Sequence, residues 1–268
     1  MGTFSEIISD HIHNTRRIRF LAGADLVKEY RGAVFGWAWA LMKPTITILV
    51  FWFAFSVGLR RGVSIMGYPF FLWLIAGFVP WFFMRDSITN CAGSIRKYKY
   101  LVQKVRYPVD TIPTSVCLSQ LVTNMCLVAL LLAIYMIFGY MPDIYWLQLP
   151  LCYLMAFAFF TPLGLLAAML SAMSKDFLNF TRAMVTALFW LSGIIYDAYQ
   201  VQNEIVKTML LANPVTIIVN RFRDCMIYNR WFYETPGELA NYAVATVLVT
   251  VLATWAYGRL RKRLPDVL

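Results

Sequence analysis

Charge is scarce in this chain, and histidine is scarcer. Of 268 residues only 14% are charged while 60% are hydrophobic, against roughly 25% and 45–50% in soluble domains. A chain so poor in charge cannot clothe a water-facing surface, so a membrane protein is expected. The two histidines, His11 and His13, both lie near the amino terminus, which leaves no histidine cluster for a metal or a catalytic dyad. The five cysteines, Cys91, Cys117, Cys126, Cys152 and Cys225, include no CxxC pair, so no disulfide framework is implied. None of the 14 glycines is followed by lysine, which removes the GKS/GKT end of a phosphate-binding loop. ATP hydrolysis by that route is excluded.

No Gly/Ser/Pro-rich linker, internal repeat or low-complexity tract divides the sequence, and a single polytopic domain over residues 1–268 is expected. The amino-terminal segment also lacks the short apolar core and small-residue cleavage site of a signal peptide, so insertion through the chain's own first span is expected. A helix needs about 20 apolar residues to cross the hydrocarbon. Windows free of acidic residues place six spans at about 36–59, 66–84, 112–140, 146–172, 177–196 and 239–257. The fifth is the weakest, because Arg182 interrupts it. Ion relays and coupling-ion sites normally place ionisable residues inside spans; Asp and Glu are absent from all six windows, so proton coupling is unsupported.

Between the fifth and sixth windows, residues 200–234 hold two short apolar runs parted by Asn213-Pro214. Backbone that enters a membrane without crossing it is tolerated only against protein or a water-filled cavity. A re-entrant helical hairpin is the sharper reading and an interfacial amphipathic segment the plainer one. Ahead of the first window, residues 1–35 form an amphipathic segment in which Phe20, Leu21, Ala24 and Val27 share one helical face, with Arg16, Arg19 and Lys28 elsewhere. Such a helix lies along a membrane surface. Gly32 and Gly36 would then permit a tight turn into the bilayer.

Lysine and arginine orient the chain. With both termini inside, 17 of the 24 fall on the cytoplasmic side and 6 outside, Lys43 standing at the inner end of the first span. Both termini are therefore expected in the cytoplasm, with only Cys225 clearly outside among the cysteines. The net charge of +10 is accounted for by flanks facing anionic lipids, with no need for nucleic acid.

A chain without a nucleotide site or an ion relay needs energy from a partner if it moves anything. The cytoplasmic segment "SIRKYKYLVQKVRYPVDTIP" offers a docking element: a short helix over 94–105, bracketed by Pro108 and Pro113, whose tyrosines and leucine could fill a groove. Tyr98, Lys99, Tyr100, Leu101 and Val102 are the candidate coupling residues. An ordinary positively charged inside loop would look similar.

Several strings occur in order: "YRGAVFGWAWALMKPTITILVFWFAFSVGLR", "YPFFLWLIAGFVPWFF", the basic segment just quoted, and "NPVTIIVNRFRDCMIYNRWFYE" with a terminal "LPDVL". Together they resemble the membrane subunit of ABC-2-type polysaccharide exporters. The permeases of wall teichoic acid export are the most similar, and O-antigen and capsule export permeases are neighbours. The resemblance implies an all-α membrane protein with six spans, an amphipathic interface helix and a re-entrant hairpin. It implies a homodimer in a bacterial cytoplasmic or inner membrane, joined to two copies of a cytoplasmic ABC ATPase. ATP and Mg belong to that partner and no cofactor to this chain, which is then no enzyme by itself. The cargo implied is an undecaprenyl-diphosphate-linked teichoic acid or related polymer.

By position, the family's interface helix falls on 15–30, its turn on 31–36, its coupling helix on 94–105 and its outer hairpin on 200–231. The Leu-Gly usual in that turn is here Phe35-Gly36. The 44 aromatic residues crowd the first two spans, and Phe35, Gly36, Trp37, Trp39, Phe51, Phe55 and Trp73 are candidates for a conduit on which sugar rings stack; lipid-interface belts are the alternative. Arg31 and Lys43 are candidates for the lipid diphosphate through charge-assisted contacts, or they snorkel to lipid phosphate. Two other classes remain, a membrane-embedded transferase for lipid-linked sugars and a non-transporting assembly subunit. The transferase would need paired surface carboxylates, and Asp86, Asp110, Asp143, Asp176 and Asp197 form no such pair in sequence.

Overall fold

The structure, a computed structural model, describes residues 2–32, 34–58, 67–105 and 107–267. It is all-α. In chain order the helices are α1 (Thr3–His13), α2 (Thr15–Tyr30), α3 (Trp39–Phe53), α4 (Phe70–Lys97), α5 (Lys99–Lys104), α6 (Thr111–Ile137), α7 (Leu149–Met173), α8 (Lys175–Trp190), α9 (Glu204–Ala212), α10 (Pro214–Arg223), α11 (Pro236–Leu260) and α12 (Leu264–Val267).

At the centre stands α4. Every residue from Leu72 to Met84 is buried, as expected of a helix apolar on all sides, and α6, α7, α8 and α10 pack around it. Lipid tails are as apolar as leucine, so spans are held by close packing and interhelical hydrogen bonds rather than by the hydrophobic effect. Such bonds are present. Tyr135 Oη donates to the Leu72 carbonyl at 2.9 Å, Asn124 Nδ2 to the Val79 carbonyl at 3.1 Å, and Tyr242 Oη to the Met155 carbonyl at 2.6 Å.

Among the described residues five segments are long and apolar enough to cross a membrane: Gly36–Ser56, Phe70–Lys97, Thr111–Ile137, Ile144–Met173 and Pro236–Arg263. The fifth expected window is shorter. Helix α8 has 16 residues, about 24 Å at the usual rise, yet it joins the two ends of the bundle. Its start follows Met173 beside the last turns of α4, where Arg96 bonds the Ser171 and Ala172 carbonyls. Past its far end, the Leu191 carbonyl and Ser192 Oγ receive Asn213 Nδ2 at 3.3 and 3.0 Å. The bundle thus has an α5 end, which also carries α1, α2 and α12, and a hairpin end carrying α9 and α10.

Three boundaries differ from expectation. The second span does not stop at residue 84: α4 continues unbroken to Lys97, so Arg85 and Asp86 lie within a continuous helix and a carboxylate does occur inside a span helix. The docking helix expected over 94–105 is split at Tyr98, leaving α5 with six residues. The first span ends in a π-turn, Ala54–Gly58; residues 59–66, with Arg60 and Arg61, lie outside the described residues.

Helices α9 and α10 with its π-turn extension meet at an 86° bend. Asn213 and Pro214 make the corner. Proline has no N–H to continue α9, and Asn213 Oδ1 accepts from Val215 N at 3.0 Å as the cap of α10. Both limbs return to one place: Tyr199, before α9, bonds Glu238 at 2.6 Å, and Arg221 on α10 bonds the same carboxylate at 2.9 Å. The pair enters and leaves by the hairpin end.

Candidate functional site

The face of α2 that packs on the bundle is distinct from the apolar face assigned to the membrane surface. Ile18, Leu21, Ala22 and Asp25 are buried, while Phe20 is 80% exposed and Val27 also faces outward. This face contains a carboxylate because three donors meet it. Lys97 Nζ and Tyr98 Oη both bond Asp25 Oδ1, and Ser119 Oγ lies 3.0 Å from Oδ2. A buried charge is tolerable only when paired and hydrogen-bonded, and here it ties α2 to α6 and to the α4–α5 junction. Burial, together with the Asp25 carboxylate, pushes the Tyr98 phenol far above its ordinary range, so it stays protonated and donates.

That arrangement corrects the reading of Tyr98 as a docking anchor. Its ring is 3% exposed, with Lys28 and Lys97 over it at 5.7 and 5.3 Å. Of the other coupling candidates, Tyr100 and Lys99 are exposed, and Leu101 and Val102 are half-buried against the core. The surface open to a partner on α5 is therefore Tyr100 and Lys99 with the flanks of Leu101 and Val102.

The conduit candidates divide between surface and interior. Phe35 and Trp37 are exposed, and Phe35 meets the half-buried Trp39 edge-on at 5.9 Å. Gly36, with φ +46, takes the left-handed backbone that turns the chain into α3, a conformation glycine adopts without steric cost. Phe51 packs on Phe78 and Phe189 with centroids 5.1 and 5.4 Å away, and Phe55 lies 6.2 Å from Phe70. Trp73 is fully buried and cannot line an open path within the protomer. Its indole donates to Tyr228 Oη at 3.0 Å, and the Arg223 guanidinium covers its ring at 3.5 Å. Arg31 and Lys43 are exposed, Lys43 Nζ standing 5.8 Å from the Trp39 ring.

At the hairpin end two arginines are buried. Arg221 lies 2.9 Å from Glu238 and 3.1 Å from Asp224, a three-membered cluster joined by Tyr199. Arg223 sends its two terminal nitrogens to the Gly193 and Ile194 carbonyls at 2.7 and 2.6 Å. Gly77 makes room for it: a Cβ there would lie 2.5 Å from Arg223 Nη2. Sequence reasoning missed this cluster, although the Arg221–Asp224 spacing of i,i+3 is one that meets on a helix.

Neither His11 nor Cys225 sits as expected. The first lies on a docked helix, its Nδ1 donating to the Ile7 carbonyl at 2.8 Å and lying 3.4 Å from Asp110, its Nε2 bonded to Thr114 Oγ1 at 2.7 Å. Cys225 is buried rather than open to the outer side, with its sulfur 3.6 Å from that of Cys152. Among the described residues no group of three His, Cys, Asp or Glu is placed to hold a metal ion.

An all-α bundle of long apolar helices, with a surface helix clamped beneath its second span and a bent pair returning to the opposite end, has the make-up of a polytopic membrane domain. The ABC-2 type transporter family model matches residues 16–227, and the chain belongs to that family. It is 27% identical to the O-antigen export system permease protein RfbA of Myxococcus xanthus, over 88% of this chain and 87% of that one. Identity to an RfbA of Klebsiella pneumoniae is 21%, over 92% and 93% of the two chains. The polysialic acid transport protein KpsM of Escherichia coli is 24% identical, over 85% and 86%.

Proposed function

We propose that this chain is the permease subunit of an ATP-driven exporter that carries a lipid-linked cell-surface polysaccharide across the bacterial cytoplasmic membrane. The names of its relatives support O-antigen or capsule-like glycans as the cargo class, and a teichoic acid on an undecaprenyl diphosphate carrier is the finer reading. The working unit is two copies of this chain with two cytoplasmic ABC ATPases, which bind ATP and Mg. The α5 end faces the cytoplasm, since it carries both termini and most of the basic residues.

The observation that carries this reading is the Asp25 clamp. A partner pressing on Tyr100 and Lys99 moves the α4–α5 junction, and the ties from Lys97 and Tyr98 to Asp25 pass that movement to α2 and so to the first span. Aromatics at the start of that span, Phe35, Trp37 and Trp39, then sit where a sugar chain enters, with Arg31 and Lys43 as contacts for the diphosphate. Exposed apolar faces on α3, α8 and α11 supply surface for lipid and for the second copy.

Affinity purification of the tagged chain from its own host in mild detergent tests the proposal. A second polypeptide bearing a phosphate-binding loop should copurify in equal amount, and deleting the gene should strip a surface glycan while its lipid-linked precursor accumulates inside. A chain that comes alone and turns over lipid-linked sugar by itself would instead be the transferase.

A further inference from the structure

Helices α2, α3, α4 and α6 enclose a cavity of about 200 Å³ near the α5 end. Its lining is mostly polar, in a region where each span would be expected to show lipid or another apolar face. Two spans turn polar positions toward it: Asp86 and Asn90 one turn apart on α4, and Gln120, Thr123 and Asn124 on α6. Trp39, Phe82 and Phe83 supply aromatic surface, and Glu29 and Lys43 stand at the rim.

The geometry points to a binding site for one sugar ring of the lipid-linked polymer, a reading that rests on the proposed function and deepens it. Charge balance selects a neutral ligand. Arg85 is neutralised by Asp86 through two bonds of 2.7 and 2.9 Å, and the remaining cation, Lys43, shares the cavity with Glu29. A diphosphate inside the cavity would meet two carboxylates as well as two cations, and like charges at contact are costly, so the diphosphate stays outside the rim, where Lys43 is also exposed. A polyhydroxyl ring meets what it needs. Asn90 makes no hydrogen bond among the described residues, so its amide offers both a donor and an acceptor; Glu29 and Asp86 add acceptors and Lys43 a donor. Asn124 is fixed from behind, its Nδ2 on the Val79 carbonyl at 3.1 Å, and Gln120 Nε2 donates to Glu29 within the lining at 3.2 Å, so the polar wall is held in place before a ligand arrives. Placed polar groups beside aromatic surface fix the orientation of a small ligand, and here they outnumber the apolar side chains, which suits a polyhydroxyl ring better than an apolar molecule. The volume falls below the ~300 Å³ at which drug-sized pockets begin, which suits one ring and leaves the rest of a polymer outside. Because Glu29 belongs to α2, the helix held by Asp25, a ring bound here would touch the element that moves with the ATPase.

The test uses the purified permease–ATPase complex and four probes: farnesyl diphosphate, and farnesyl diphosphate carrying glucose, galactose or N-acetylglucosamine. Binding is read by native mass spectrometry and by quenching of tryptophan fluorescence. At least one sugar-bearing probe should bind about tenfold tighter than the bare diphosphate. That advantage should disappear in Asn90→Leu and in Trp39→Ala, and be largely restored in Asn90→Gln. Equal binding of all four probes, or a sugar advantage that survives both Asn90→Leu and Trp39→Ala, would overturn the site while leaving the lipid-linked cargo standing. Failure of every probe to bind would overturn both.

Discussion

The phenol of Tyr98 is held by the carboxylate of Asp25, 73 residues earlier in the chain. One oxygen of that carboxylate also takes the Lys97 ammonium, so the surface helix and the last turn of the central span share a single buried anchor. Removing one hydrogen bond to a charged group costs about 1.5–3 kcal/mol. Tyr98→Phe should therefore leave a folded, assembled complex with a lower melting temperature, in which ATP hydrolysis continues and export falls severalfold. Asp25→Ala should be worse, because it removes the acceptor for Lys97, Tyr98 and Ser119 together. Surface glycan and ATPase activity measured on the same preparations check this; export unchanged in both variants would mean that the clamp only packs.

The Arg223 fork makes a prediction about the hairpin. A lysine cannot reach two carbonyls in one plane as a guanidinium does, so Arg223→Lys should lower stability despite keeping the charge. Gly77→Ala should do so as well, since its methyl would lie 2.5 Å from Arg223 Nη2 and forced overpacking typically costs about 1–3 kcal/mol. The two changes strike one contact and should be less than additive in a thermal unfolding series. Wild-type melting in both single variants would contradict the geometry.

Docking of α1 should depend on pH. Burial of the His11 ring opposes its charge, but the Asp110 carboxylate 3.4 Å away, the Ile7 carbonyl that accepts from its Nδ1 and the charge of Asp10 outweigh it, so the imidazole is raised above 6.5. A raised histidine contributes stability in full below its unfolded value and loses it as pH rises through the folded one. Glu6, paired with Arg261, holds the same helix at a second point. Amide exchange over Thr3–His13, corrected for its intrinsic rate, should speed up between pH 6 and pH 9. His11→Gln should remove the dependence.

Much of this arrangement was legible in the sequence. Five of the apolar windows fall on the long apolar helices, and Asn213-Pro214 marked the bend, because those signals are local. The packed face of α2 was not legible for a reason that is not local: it is set by Asp25, which meets Tyr98, Lys97 and Ser119, partners from two other helices. Trp73 was misplaced for the same reason, since only the folded chain shows Arg223 above its ring. Helix α4 outran its apolar window because Arg85 and Asp86 neutralise each other, which a hydropathy scale counts as two charges.

Cysteine chemistry reports the burial directly. An impermeant maleimide should leave Cys225 unmodified in the native protein and modify it after denaturation, while in a background retaining only Cys152 and Cys225 a mild oxidant should crosslink the two, whose sulfurs lie 3.6 Å apart. Rapid native labelling of Cys225 would show that the hairpin does not pack against α7.

The central claim is that this chain conducts a lipid-linked glycan when driven by a separate ATPase. The most direct measurement reconstitutes the permease with its copurifying ATPase in proteoliposomes loaded with a fluorescent lipid-linked oligosaccharide, and follows the glycan's exposure to an added glycosidase on the opposite face. Exposure should require ATP and Mg, stop when the ATPase's phosphate-binding loop is mutated, and fall severalfold with Tyr98→Phe. Exposure at the same rate without ATP, or none with a fully active ATPase in the complex, would contradict it.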